Sequence, residues 1–260
     1  MIQTSWTIAR VFGIPIRAHL SVGLLALYLL LEFGQNIGLG LFVAGVLLLS
    51  ILLHELAHSG VAIAFGGAVR EIVLQLLGGC ALISRMPHKA WQETLMALAG
   101  PLLSLALAAL CLILAFLFPT KMPDPRLPII WVEPNLYLLL AGSLNLGLGC
   151  FNLIPAFPMD GGRVLRSALE SFGWSKYQAT RLAVTVSKGI AVLWGGLWVA
   201  NLLFGFEVPC PLGSFVAQYL WSIVFGAKSL LLPLIAYMIW VMGERELATV
   251  RAMTYYGDWR

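Results

Sequence analysis

Charge is scarce in this sequence. Only 11% of its 260 residues are Asp, Glu, Lys or Arg, whereas 60% are hydrophobic. A soluble domain carries about 25% charged residues, so the composition excludes a chain whose whole surface faces water. Cysteine is also rare. Cys80, Cys111, Cys150 and Cys210 lie far apart with no C-x-x-C pair, which argues against a disulfide framework or a thiolate zinc site. The 16 basic residues build no basic helix and no aromatic platform, so nucleic acid is not an expected partner. The apolar run at 18–31 follows Arg10 and Arg17 in the manner of a signal peptide. It ends in Leu31-Glu32-Phe33-Gly34 without a small-residue cleavage site, and it is expected to be a retained first span. A transporter-like internal repeat is lacking as well.

What the sequence does have is apolar helix. At about 20 residues per crossing, the apolar content supplies roughly five to seven spans. Hydrophobic runs place six of them, at roughly 18–33, 38–65, 93–118, 136–157, 184–204 and 227–243. Residues 214–226 are apolar but short, in keeping with an interfacial or re-entrant helix. The placement of charge tests this map. Thirteen basic residues (Arg10, Arg17, Arg70, Arg85, Lys89, Arg163, Arg166, Lys176, Arg181, Lys188, Arg245, Arg251 and Arg260) fall on one side, and Lys121, Arg126 and Lys228 on the other. By the positive-inside rule the majority side is cytosolic, so an integral multi-pass protein with both termini in the cytosol is expected. The expected fold class is an all-α membrane protein of about six transmembrane helices, forming one polytopic domain over 1–260 and touching membrane lipid. The connectors at 66–92, 119–135 and 158–183 are too short to be soluble domains, and so is the tail after 243.

One connector departs from helix. Glu71-Ile-Val-Leu-Gln75-Leu-Leu77 precedes Gly78-Gly79, and Cys80-Ala-Leu-Ile-Ser follows. Two β-prone runs around a glycine pair predict a short membrane-associated hairpin after the second span. Apolar strands beside a membrane must pair within protein, because lipid leaves backbone groups unsatisfied. An irregular surface loop is the plainer alternative.

The chemistry is concentrated in His54-Glu55-Leu56-Ala57-His58, inside the second span. Residues four apart share one helix face, so both imidazoles can reach a single zinc ion. Glu55, one residue on, is placed to act on water as a general base rather than to bind the metal. A chance H-E-x-x-H is the competing reading. It is weakened by a total of four histidines and by the several kcal/mol that an ionisable group costs inside a span. Two histidines leave the ion short of a ligand. Glu32 and Glu93 sit at span ends, which leaves Asp160 in Asn152-Leu-Ile-Pro155-Ala-Phe-Pro158-Met-Asp160-Gly161-Gly162. Asp160 has a second reading, as the N-cap of a helix at 161–171 with Asp-Gly-Gly as an ordinary turn. The need for a third ligand favours coordination. Asn152 also reads two ways, as a polar helper in catalysis or as an interhelical hydrogen bond. His19 and His88 lie near predicted interfaces and read as interfacial side chains. Gly100-Pro101, taken as a helix start, reads as packing and φ restriction.

Together these motifs resemble the site-2 protease family of intramembrane zinc metalloproteases. The family's H-E-x-x-H is similar to His54, Glu55 and His58, and its N-x-x-P-x-x-x-x-D-G pattern to Asn152–Gly162. Ala99-Gly100-Pro101 and the segment Phe12–His19 are similar to family elements too. The resemblance covers residues 10 to about 205, the implied catalytic core, with further C-terminal spans reaching 243. It implies one zinc per chain held by His54, His58 and Asp160, with Glu55 as base and Asn152 near the scissile carbonyl. It further implies that the strand region of Gly78 and Gly79, with Gln75 and Leu77, binds substrate. The implied substrates are single-span membrane proteins such as transcription or sigma factor precursors or anti-sigma factors. Ser104 stands where many members have Asn and is assigned no role. A minimal form is expected, without a PDZ insertion or a C-terminal nucleotide-binding tandem.

The hairpin gives substrate a mode of entry. A helical substrate must unwind before its amides are exposed, and the 71–84 segment offers an edge to which it can add as a strand. Three rivals are a protease acting on non-transmembrane peptides, an inactive zinc-binding scaffold and a transporter. The Asp160 motif argues against the first, the retained Glu55 against the second and the missing repeat against the third. The topology is open to direct test. Cysteine labelling is expected to place residues 10, 89, 176 and 251 on the cytosolic face and residue 124 opposite, and labelling of 89 and 124 from one side would refute the six-span map.

Overall fold

Long apolar runs broken by glycine and proline set the order of elements. The structure, a computed structural model, describes residues 5–32, 34, 37–75, 78–85, 89–118, 134–205 and 229–256. The chain divides into two compact units, Met1–Cys150 and Phe151–Arg260.

The first unit opens with strands β1 (Ser5–Val11) and β2 (Ile14–His19). Phe12 and Gly13 between them both have positive φ (50° and 81°), the backbone that a two-residue hairpin loop requires. Helices α1 (Leu20–Glu32) and α2 (Ile37–Ala64) follow. After α2, the Gly66 and Gly67 amides bond back to the carbonyls of Ile63 and Ala62. This left-handed cap, with φ +79° at Gly66, ends the helix. Strands β3 (Ala68–Gln75) and β4 (Gly78–Arg85) come next, then α3 (Ala90–Leu117) and α4 (Pro134–Asn152).

The four strands form one sheet in the order β1-β2-β3-β4. The β2–β3 pair is parallel and the outer two are antiparallel, with Ile16 opposite Ile72 and Ala81 opposite Ile72 on the other side. Alternate residues Ile14 and Ile16 and Ile72 and Leu74 are buried with Ile51 of α2, and Leu47, Leu52 and Leu56 pack around them. This apolar seam fixes the sheet against the helix that carries the H-E-x-x-H motif. Arg17 of β2 pairs with Glu71 of β3 at 3.2 Å and donates to the Ser5 carbonyl of β1 at 2.8 Å, tying three strands together.

The second unit holds α5 (Asp160–Ser171), α6 (Lys176–Phe204) and α7 (Leu231–Tyr256). Ser175 caps α6 by accepting from the Gln178 amide, and Gly205 closes it in the left-handed conformation. Ala156, Met159, Ala191, Ala236 and Ile239 form one buried cluster, and Phe157, Ala183 and Val184 a second. The buried Arg166 of α5 pairs with Glu246 of α7 and stands 5.6 Å over the Phe157 ring. Lys188 of α6 pairs with Glu244 of α7 and lies 5.0 Å over Trp240. For the buried Arg166 such pairing is what makes the charge tolerable.

Several expectations need correction. The fold is mainly helical but not all-α: residues 5–19, for which no strand was expected, hold two strands of a four-stranded sheet. Gly78 and Gly79 do not lie between the two strands: they are the first residues of β4, and Gly78 pairs with Gln75. Leu77, His88, Cys210 and residues 214–226 fall outside the described residues. Gly100-Pro101 lies inside α3, well past its start. The helix expected over 136–157 stops at Asn152, before Pro155 and Pro158. Among the described residues, α2, α3 and α6 are long and apolar enough to cross a membrane, and Leu20–Leu31 is a shorter apolar helix. Helices α4 and α7 stand where two more spans were expected.

Candidate metal centre

The helical spacing of His54 and His58 puts both side chains on one buried face of α2, with ring centroids 4.7 Å apart and planes at 81°. Each ring has two nitrogens to satisfy. The Nδ1 of His58 donates to the Met96 carbonyl at 2.6 Å, which makes Nε2 the unprotonated nitrogen. The Nδ1 of His54 meets Ser104 Oγ at 3.0 Å. With its proton on Nδ1 and given to Ser104, His54 also turns an Nε2 lone pair outward.

Both partners come from α3, and so does the space between them. Met96, Gly100 and Ser104 are four residues apart and form one buried stripe. A Cβ at Gly100 would stand 2.6 Å from His54 Nε2 and closer still to His58 Nε2. The two Nε2 atoms therefore converge over a glycine that leaves room for them. Held imidazoles with converging Nε2 atoms fit a borderline cation such as zinc, which takes nitrogen donors together with a carboxylate.

Glu55 points elsewhere, toward the sheet. Its Oε2 accepts from the Ala81 amide of β4 at 3.1 Å, and Gly79 of the same strand lies against its side chain. The first unit thus brings His54, Glu55, His58 and Gly79 together. Gln75 ends β3, exposed, and Gly78, with φ +133°, begins β4.

The second unit prepares Asp160. Phe157 donates its amide to Ser187 Oγ of α6 at 2.9 Å, anchoring the irregular stretch before α5. Met159, with extended backbone, occupies the N-cap position, so Asp160 is the first helical residue and not the cap. Gly161 and Gly162 allow the start of α5 to lie against the backbone of residues 153–157; a Cβ at Gly162 would be 2.7 Å from the Phe157 nitrogen. Asp-Gly-Gly is thus the first turn of α5 in close approach to the preceding backbone, not a loop turn. Asn152 is the last residue of α4. His19 has a local role, its Nδ1 accepting from the Ser21 amide at 3.2 Å at the start of α1.

Sequence reasoning did not single out Met96, gave Ser104 no role and read Gly100 as packing and φ restriction. The four-residue spacing of Gly100 and Ser104 on one face of α3 was the available signal. A backbone carbonyl such as that of Met96 leaves none.

Residues 42–125 and 132–195 match the model of Peptidase family M50, and the chain belongs to this family. It is 33% identical over 234 residues to a putative zinc metalloprotease of Synechocystis, covering 84% of this chain and 56% of that protein. It is 36% identical over 201 residues to a zinc metalloprotease of Methanocaldococcus jannaschii, covering 75% of this chain and 52% of that protein. The chain thus spans about half the length of these two curated relatives. Its fold is similar to the solved structure of the site-2 protease from Methanocaldococcus jannaschii, with TM-score 0.60 and 29% identity over 94% of this chain and 95% of that one. With its apolar helices, this membership makes the chain a membrane protein.

Two substitutions on α3 test the centre. Ser104→Ala removes the partner of a buried ring nitrogen and is expected to weaken zinc binding about 10–100-fold. Gly100→Ala puts a methyl where the Nε2 atoms converge and is expected to abolish binding while helicity by circular dichroism is kept. Zinc titration of the metal-stripped protein reads both, and wild-type affinity in Gly100→Ala would refute this geometry.

Proposed function

We propose that this chain is a zinc-dependent membrane protease that hydrolyses peptide bonds within or beside transmembrane segments of single-span membrane proteins. His54, His58 and Asp160 would hold one zinc ion. The observation that carries the reading is the pair of buried imidazoles, each fixed through Nδ1 and converging through Nε2, next to a carboxylate on a helix apolar enough to cross a membrane. The names of the relatives support zinc and proteolysis.

Zinc at this place supplies Lewis acidity to the scissile carbonyl. The chain's own residues do the rest. Glu55 takes one proton from the attacking water as its oxygen bonds to the carbonyl carbon, then gives that proton to the amide nitrogen as the C–N bond breaks. Asn152 steadies the charge that develops on the carbonyl oxygen. Strand β4 is the outer strand of its sheet, and an unwound substrate segment adds along it beside Gly78 and Gly79, with Gln75 at the end of β3. Six residues separate His58 from the end of α2 at Ala64, about 9 Å of helix. With that end toward the cytosol, as the distribution of basic residues supports, water reaches the centre by a short path.

Glu55→Gln keeps the shape of the side chain and both imidazoles but removes the base. Cleavage of a single-span reporter substrate in detergent is expected to fall about 10²–10⁴-fold while zinc content stays at one per chain. Wild-type turnover by this variant would overturn the mechanism. Asp160→Ala is expected to lose zinc, as read by metal analysis, and Asp160→Asn to lose less. Full occupancy in Asp160→Ala would remove Asp160 from the ligand set.

A further inference from the structure

The two adjacent glycines of β4 are glycine for different reasons. Gly78 has φ +133°, a backbone that side-chain-bearing residues rarely adopt, and an added Cβ there would meet nothing within 4 Å. Gly79 is the reverse. Its φ lies outside the left-handed region, so the backbone would accept any residue. The three nearest atoms that a Cβ would meet all belong to Glu55: Cγ, then Cδ and Oε1 at 2.9 Å each. Two residues on, Ala81 gives its amide to the same carboxylate through Oε2. Gly79 and Ala81 are two residues apart, so one stretch of β4 both makes room for Glu55 and holds it.

From this we propose that Gly79 is a positioning residue for the base: its missing side chain, together with the Ala81 amide, determines where the Glu55 carboxylate stands. The inference rests on the reading of Glu55 as base. The Ala81 amide fixes Oε2 and thereby directs Oε1 toward the space in front of Gly79. One extra methyl at Gly79 would displace the carboxylate, and a displacement of about 1 Å at a reacting group costs on the order of 10²-fold in rate. The clash falls on a flexible side chain rather than on backbone, so Gly79→Ala should alter the base and leave the fold intact.

The test is a mutant cycle on the full chain with zinc bound, using one fluorescent single-span reporter that the wild type cleaves. Gly79→Ala is expected to lower kcat about 10–100-fold with zinc content and melting temperature unchanged. In a Glu55→Ala background, where the space is vacant and the base already gone, the same substitution is expected to change the residual single-turnover rate by less than about twofold. Hydrogen exchange at the Ala81 amide is expected to quicken in both Glu55→Ala and Gly79→Ala, a readout independent of turnover. Unchanged kcat in Gly79→Ala would overturn the proposal. So would a loss of zinc or an equal rate loss in both backgrounds, since each shows that the missing side chain acts through the fold or through substrate binding and not through Glu55. Full activity of Glu55→Gln sinks the base assignment itself, whereas full activity of Gly79→Ala beside an inactive Glu55→Gln sinks the positioning alone.

Discussion

An imidazole buried in an apolar helix carries two nitrogens, and each must find a partner or cost about 1–3 kcal/mol. In this chain α3 satisfies one nitrogen of each ring, through the Met96 carbonyl and Ser104 Oγ, and directs the other two toward a common point. Much of the first unit serves this constraint. Met96, Gly100 and Ser104 must fall on one stripe, and α3 must lie close enough for hydrogen bonds to reach α2. Gly100 meets the second demand by having no side chain to hold the helices apart.

The sheet meets a parallel demand for Glu55. A carboxylate on a helix this apolar needs a donor, and the outer strand supplies one from its backbone. The apolar seam of Ile14, Ile16, Ile51, Ile72 and Leu74 presses the sheet onto α2, and Arg17 with Glu71 locks the strands to one another. The N-terminal strands thus have a purpose far along the chain: they brace β3, on which β4 depends. In the second unit, Ser187 and the glycine pair fix the approach to Asp160, while Arg166 and Lys188 find carboxylates on α7.

Some of this was legible in the sequence, and some was not. The apolar runs, the four-residue spacing of His54 and His58, the helix break at Pro155 and Pro158 and the hairpin after α2 all follow from local periodicity and turn chemistry. Residues 5–19 were missed as strands because β1 is exposed along most of its length and shows no alternation of buried and exposed positions. The glycine pair was taken to separate the two strands but belongs to β4, since a Gly-Gly pair signals a turn as readily as a place where another side chain needs room.

The sequence by itself determined that the chain belongs with membrane helices, that two histidines share a face, and that a carboxylate stands between them. These are properties of composition and of residues within one helical turn of each other. Only the tertiary structure decided which ring nitrogen of each histidine is turned outward, because Ser104 lies 50 positions from His54 and Met96 lies 38 from His58. It likewise decided that Gly78 serves the backbone whereas Gly79 serves Glu55. A glycine looks the same in sequence whether the reason for it is its own φ or a neighbour's side chain, and only the folded contact distinguishes the two.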